Sequence, residues 1–121
     1  MAGPVYTSAG EEFVNDILDG GANDIHTMWV AWGSGTTGPL KNQTALVTEE
    51  KPVRTEAGAT QESADLLQWV GTLTATGDNT ITEVGLFTDS LAATMLIRST
   101  HSAIPVANLD AVEYTISLQQ S

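Results

Sequence analysis

The feature that most constrains the fold is a run of strict two-residue alternation near the C-terminus, at 112–119. Its apolar members fall on every second position: Val112, Tyr114, Ile116 and Leu118. An extended strand with this period has one apolar and one polar face, whereas an amphipathic helix needs a period of 3.6 residues. The segment is therefore predicted to be a half-buried β-strand.

Other segments carry a similar signal and are separated by short turn sequences. Strands are predicted at 25–32, 67–75, 81–87 and 94–100, with a polar, extended edge segment at 53–60. The Thr-Gly-Asp-Asn sequence at 76–79 is predicted to close a hairpin onto 81–87. No strand–helix–strand rhythm is present, which excludes a parallel nucleotide-binding sheet. The predicted fold is mainly β, an antiparallel β-sandwich or barrel with one short N-terminal amphipathic helix.

The helix is predicted from Ser8 to Leu18. Ser8 and Glu11 have the spacing of a capping box, in which each side chain accepts a hydrogen bond from the other residue's backbone N–H. One apolar stripe follows: Phe13, Val14, Ile17 and Leu18. The glycines at 20–21 end the helix. The chain is predicted to be a single domain, 1–121, with an N-terminal arm (1–7), the helix (8–19) and a β-sandwich (25–119).

The charge balance limits the partners. Fifteen acidic residues face four basic ones, a net charge of −11. Nucleic-acid binding needs clustered cations, so no nucleic acid is expected, and no anionic membrane surface either. No apolar run approaches the roughly 20 residues of a membrane span. The acid excess has two interpretations, which both stay open: solubility, and adaptation to concentrated salt, where repulsion is screened.

The chain has little that suggests catalysis. It has no cysteine, and neither His26 nor His101 has a neighbour at metal-ligand spacing. Ser34 lies in Gly-Ser-Gly-Thr-Thr-Gly, which departs from the spacing of a nucleophile elbow. Turn chemistry explains Asp78 and Asn79 better than calcium binding does. We therefore expect no enzyme, no metal and no cofactor.

Three tryptophans are many for a chain of this size. Trp29 and Trp32 fall on opposite faces of one predicted strand, and a single core would take one of those faces. We expect at least two of the three, counting Trp69, to pack in the core and one to lie at an interface, where tryptophan is enriched.

Two stretches of the sequence match a pattern found in a known class of proteins. The first is Trp-Val-Ala-Trp-Gly-Ser-Gly-Thr-Thr-Gly-Pro at 29–39, followed by Thr-Ala-Leu at 44–46, Glu49-Glu50 and Arg54. The second is Ile-Thr-Glu-Val-Gly-Leu-Phe at 81–87. Both stretches resemble small structural proteins of tailed viruses. Together with the last strand, the resemblance spans most of the chain.

The resemblance implies a virion protein. The leading expectation is a capsid decoration (cement) protein, a homotrimer bound to the major capsid protein on the outer surface of the shell. A tail, collar, baseplate or fibre component is the alternative, and a carbohydrate-binding β-sandwich is a further one. Under the salt-adaptation interpretation of the acid excess, a virus of salt-loving archaea is the natural source. Partner contacts are expected from the N-terminal arm, from the predicted strand at 25–32 and from the loop that follows this strand. The residues are Val5, Tyr6, Trp29, Trp32, Gly33, Gly35, Thr36, Thr37, Pro39 and Leu40.

Overall fold

The computed structural model describes residues 5–18, 28–50, 54–90 and 94–119. One helix and seven strands form from them: β1 (Val5–Tyr6), α1 (Ser8–Leu18), β2 (Met28–Gly33), β3 (Thr55–Ser63), β4 (Leu66–Thr74), β5 (Asn79–Phe87), β6 (Met95–Val106) and β7 (Ala111–Gln119). The predictions for 1–4, for the helix end at 19–21, for the strand start at 25–27 with His26, and for residue 53 lie outside the described residues.

The strands form one antiparallel sheet in the order β1-β6-β5-β2-β3-β4-β7, curled into a half-barrel. The predicted fold class is therefore confirmed: mainly β and antiparallel, with one short N-terminal helix. The alternating strand at the C-terminus is β7, and it pairs with β4 from Leu66↔Gln119 to Thr74↔Ala111.

The core consists of two clusters of buried side chains, a main one that includes Met28, Val30 and Trp32 of β2 and a smaller one that includes Ala31. Trp32 and Trp69 are both buried in the main cluster, so the expectation of two core tryptophans is confirmed. The smaller cluster covers the other face of β2 with four side chains: Ala31, Leu46, Phe87 and Met95. Leu46 comes from the segment between β2 and β3, so that segment is part of the core.

The predicted hairpin at 76–79 is wrong. β5 pairs with β2 and β6, whereas β4 pairs with β3 and β7. The Ala75 N–H donates to the Asp110 C=O at 2.7 Å, which prolongs the pairing between β4 and β7 beyond Thr74. A turn sequence favours a local reversal of the chain, but it does not determine which strand comes to lie alongside.

The prediction of an edge segment at 53–60 is correct only in part, because the corresponding strand lies inside the strand order, between β2 and β4. Its counterpart β3 pairs with β2 through 55–57 and with β4 through 58–63. Among the described residues, each half of β3 therefore pairs on one side only, and both faces of its second half are exposed, which suits its polar sequence. β6 is longer than predicted, because it continues past Thr100 through Pro105 to Val106.

Helix α1 has the predicted bounds but a different cap. Thr7 is buried, and its Oγ1 accepts a hydrogen bond from the Gly10 N–H at 3.0 Å. The same hydroxyl donates to the Met95 C=O, which ties the start of the helix to β6. The predicted capping box is therefore wrong: Thr7 is the N-cap, and Glu11 instead forms an ion pair with Lys41 at 2.8 Å.

Candidate functional site: the anchored loop between β2 and β3

Residues 34–50, here called the anchored loop, connect β2 to β3 and carry no helix or regular strand. Connections this long without secondary structure are uncommon in small domains unless they bind something or are disordered. This one is tied to the sheet at several points.

The first tie is Glu83, a fully buried carboxylate on β5. Its Oε2 accepts hydrogen bonds from the backbone N–H groups of Gly35 and Thr48, both at 2.8 Å. Its Oε1 accepts one from the Val47 N–H at 3.0 Å. One side chain therefore holds the first and the last part of the loop together.

The second tie is Arg98, also fully buried, on β6. Arg98 lies opposite Gly85, two residues along β5 from Glu83, so both side chains are on the same face of the sheet. Its Nε and Nη2 contact Glu83 Oε1 at 3.0 and 2.9 Å. Its Nη1 donates to the Thr37 C=O at 2.9 Å and to Gln43 Oε1 at 3.2 Å. The ion pair thus also fixes the middle of the loop.

Glu83 is held in its charged form. Burial on its own would raise the pKa of this carboxyl. The N–H groups of Thr48 and Val47, the Arg98 guanidinium and the Gly35 N–H together outweigh burial and lower the pKa below its usual value. The loop is therefore organised by an ionised carboxylate at neutral pH.

The glycines within the stretches 29–39 and 81–87 allow this close approach. A Cβ at Gly35 would overlap the Glu83 carboxylate, and a Cβ at Gly33 would overlap the Thr48 carbonyl oxygen. On β5, a Cβ at Gly85 would lie 2.9 Å from both Leu46 and the Phe87 ring. The two stretches are thus complementary parts of one packed unit.

A second cluster secures the end of the loop. The Arg54 guanidinium lies 3.6 Å above the centre of the Phe87 ring. It donates to both carboxylate oxygens of Glu49, at 3.1 and 3.0 Å, and to the Asp89 C=O at 3.1 Å. Such a two-bond contact between planar groups is stronger than a single exposed ion pair. On the other side of the loop, the Ser8 N–H donates to the Lys41 C=O at 2.8 Å.

The predicted contact residues in β2 and in the anchored loop differ in their exposure to solvent. Thr36, Thr37 and Leu40 are exposed, and 55% of Leu40 is accessible. A second group is buried: Trp32 lies in the main core, whereas Gly33, Gly35 and Pro39 lie in or beside the anchored loop. Trp29 is half-buried. Partner contact by any of these residues stays a prediction.

The predicted arm residues are engaged within the chain. Val5 and Tyr6 pair with Arg98 and Ile97 of β6. Tyr6 also packs against the main core.

Sequence reasoning missed Glu83 and Arg98 as site residues. The available signal was a charged residue within each of two apolar strand segments, which is costly unless the charges are paired.

An open groove of about 730 Å³ runs beside the base of the loop and is lined by Ser34, Asp78, Asn79 and Asp110 among others. Its aspartates serve the backbone: Asp78 accepts from the Asn108 N–H at 3.3 Å and Asp110 from the Ala107 N–H at 2.8 Å. Within the described ranges, no three His, Asp or Glu side chains are grouped as metal ligands.

His101 lies away from the loop and joins β6 to β7. Its Nδ1 is 2.8 Å from the Ser102 carbonyl oxygen, which can only accept, so Nδ1 carries a hydrogen. In the neutral ring, Nε2 then accepts from the Tyr114 hydroxyl at 2.9 Å. Burial raises the pKa of Tyr114, which keeps that hydroxyl protonated. The pair links the two strands without backbone pairing.

Comparison with known protein families and with curated proteins finds no match for this chain. In the part of the chain that the structure describes, no helix has both the length and the apolar character needed to cross a membrane.

Proposed function

We propose that the protein is a structural component of a tailed-virus particle, and specifically a capsid decoration protein that binds the outer surface of the major capsid lattice. The observation that carries the proposal is the anchored loop: a long connection held by a buried ion pair, with an exposed tip at Thr36, Thr37 and Leu40. Of the residues that anchor the loop, Gly35 and Glu83 belong to the stretches that carry the virion resemblance, whereas Arg98 lies outside them.

A pre-shaped loop suits a protein that binds a repeating surface. Because Glu83 and Arg98 already fix the backbone at both ends and in the middle, little conformational freedom is lost when the tip meets a partner. Each copy can then bind modestly, and many copies on one shell add their contacts through avidity.

The charge supports a position on the outside of the shell. A net charge of −11 would be repelled by packaged DNA, whereas an outward acidic surface meets only solvent. We expect the copies to be arranged as homotrimers at local threefold positions of the shell, the symmetry that a tiled lattice offers.

The alternative of a tail or collar component uses the same loop and differs in copy number. The sugar-binding alternative depended on exposed tryptophans. Trp32 and Trp69 are buried and Trp29 is half-buried, so nothing in their arrangement favours stacking on a sugar ring.

The test is co-sedimentation of the purified protein with virus shells stripped of it. Leu40→Asp should weaken binding about tenfold or more, the loss expected when one leucine no longer buries its side chain. The control is Leu109→Asp, since Leu109 is also exposed and has a left-handed backbone that aspartate tolerates. Equal binding by the two variants would contradict the assignment of the tip, and binding to tails alone would favour the alternative.

A further inference from the structure

Strand β7 has an open edge. It pairs with β4 on one side, and no described strand pairs with its other side. The Asp110 C=O points to β4, because it accepts from the Ala75 N–H. Backbone groups of successive strand residues point alternately to the two sides. The N–H and C=O groups of Glu113, Thr115 and Ser117 therefore point to the open side.

Two other open stretches of the described sheet are less suited to pairing. In β6, β1 covers Ile97 and Arg98, and Pro105 lacks the N–H that a further strand would need. In β3, residues 58–63 are exposed on both faces, so an added strand would bury no apolar side chain there. β7 combines free backbone groups with an apolar face, on which Val112, Tyr114 and Leu118 are half-buried.

The sequence of β7 is complementary to itself. Thr115 is the midpoint of the strand. Around a two-fold axis at Thr115, Val112 faces Leu118 and Tyr114 faces Ile116, so apolar meets apolar on the inner face. On the outer face Glu113 faces Ser117, and no like charges oppose each other.

We propose that β7 pairs antiparallel with β7 of a second copy of this chain about that axis. Thr115 would exchange two hydrogen bonds with its counterpart, and Glu113 would do the same with Ser117 of the other copy. Glu113 is the single charged residue of β7, in a chain that carries 15 acidic residues. The edge is therefore a place where two such acidic chains can meet with little repulsion. If trimers form through another surface, this contact would link neighbouring trimers.

The inference is tested by sedimentation velocity over a concentration series in molar salt, which screens the net charge of each copy. The wild-type protein should move from monomer to dimer, or from trimer to linked trimers, as concentration rises. Thr115→Pro removes both central hydrogen bonds yet spares the bonds to β4, so its dissociation constant should rise about tenfold or more. Thr115→Val keeps the N–H and should associate like the wild-type protein.

A second pair of variants tests the interface without changing the backbone. Thr115→Glu places two carboxylates opposite each other at the axis and should prevent association. Thr74→Glu adds the same charge at an exposed site on β4 and should leave association intact. Association that persists in both Thr115→Pro and Thr115→Glu would overturn the proposal, as would a wild-type protein that stays monomeric throughout the series. Self-association lost equally in Thr74→Glu would also refute it.

Discussion

Replacing Glu83 with glutamine tests how the anchored loop is held. Glutamine has the same shape, so no cavity forms, but one carboxylate oxygen becomes an NH₂ group. Placed at the Oε2 position, the NH₂ faces the N–H groups of Gly35 and Thr48. Placed at the Oε1 position, it faces the Val47 N–H and the Arg98 guanidinium. In either orientation, the glutamine NH₂ group faces other hydrogen-bond donors, which then lack an acceptor.

The expected loss follows from this geometry. Each buried donor left without an acceptor costs about 1–3 kcal/mol. Arg98 also becomes a buried charge without a counter-ion, and breaking a buried pair at one partner costs about 3–5 kcal/mol. Because these contributions overlap, Glu83→Gln should lower the free energy of unfolding by about 3–5 kcal/mol in total.

The assay is urea unfolding in molar salt, followed by tryptophan fluorescence. Glu113→Gln is the control, because Glu113 is exposed on β7 and its change should stay within about 0.5 kcal/mol. The double variant Glu83→Gln/Arg98→Met should be less destabilised than the sum of its two single variants. A loss below about 1 kcal/mol for Glu83→Gln would refute the reasoning.

The destabilisation caused by Glu83→Gln should depend on pH. The pKa of Glu83 is lowered in the folded protein, so its stabilising contribution is complete above the ordinary glutamate pKa of about 4.3. That contribution is lost as the pH falls through the lower folded pKa. The stability gap between wild type and Glu83→Gln should therefore be constant above about pH 5 and narrow below about pH 4. A gap that widens in acid would contradict this assignment.

Three further results are expected. Thr7→Ala should lower the free energy of unfolding by about 1–2 kcal/mol, because Thr7 caps α1, whereas Ser8→Ala should leave it almost unchanged. Equal losses for the two variants in chemical denaturation would favour the capping box instead. Tyr114→Phe removes the hydrogen bond to His101 and should lower the free energy of unfolding by about 1 kcal/mol. The Tyr6 hydroxyl makes only a 3.5 Å contact, so Tyr6→Phe should leave the free energy of unfolding nearly unchanged in the same assay. The melting temperature should fall on transfer from molar to low salt, because 15 acidic residues face four basic ones; an unchanged value would remove the case for salt adaptation.

Local patterns predicted the elements well. The bounds of α1 follow from its apolar stripe, and β7 follows from its alternation. The pairing of strands was predicted less well, because it depends on residues far apart in the chain. The sequence at 76–79 predicts a hairpin, whereas the Ala75 N–H donates to the Asp110 C=O and β4 lies beside β7. The cap was misassigned because Thr7 and Ser8 are chemically alike, and only Thr7 reaches β6.

Only part of the candidate site could be predicted from the sequence. The sequence predicts Gly33 and Gly35 as partner contacts, but it does not predict that they make room for Glu83, because Gly35 and Glu83 are 48 positions apart in the chain. Charged residues on strands usually face solvent, so Glu83 and Arg98 did not stand out as a buried pair. A glutamate and an arginine on adjacent strands, each among apolar neighbours, is the pattern that would have suggested it.

The measurement that tests the proposed function most directly is quantitative mass spectrometry of virus particles purified from the source of this sequence, which counts the copies of this chain per particle. A decoration protein should be present in an amount comparable to the major capsid protein. A few copies per particle would assign it to the tail instead. Its absence from the particle would contradict the virion proposal altogether.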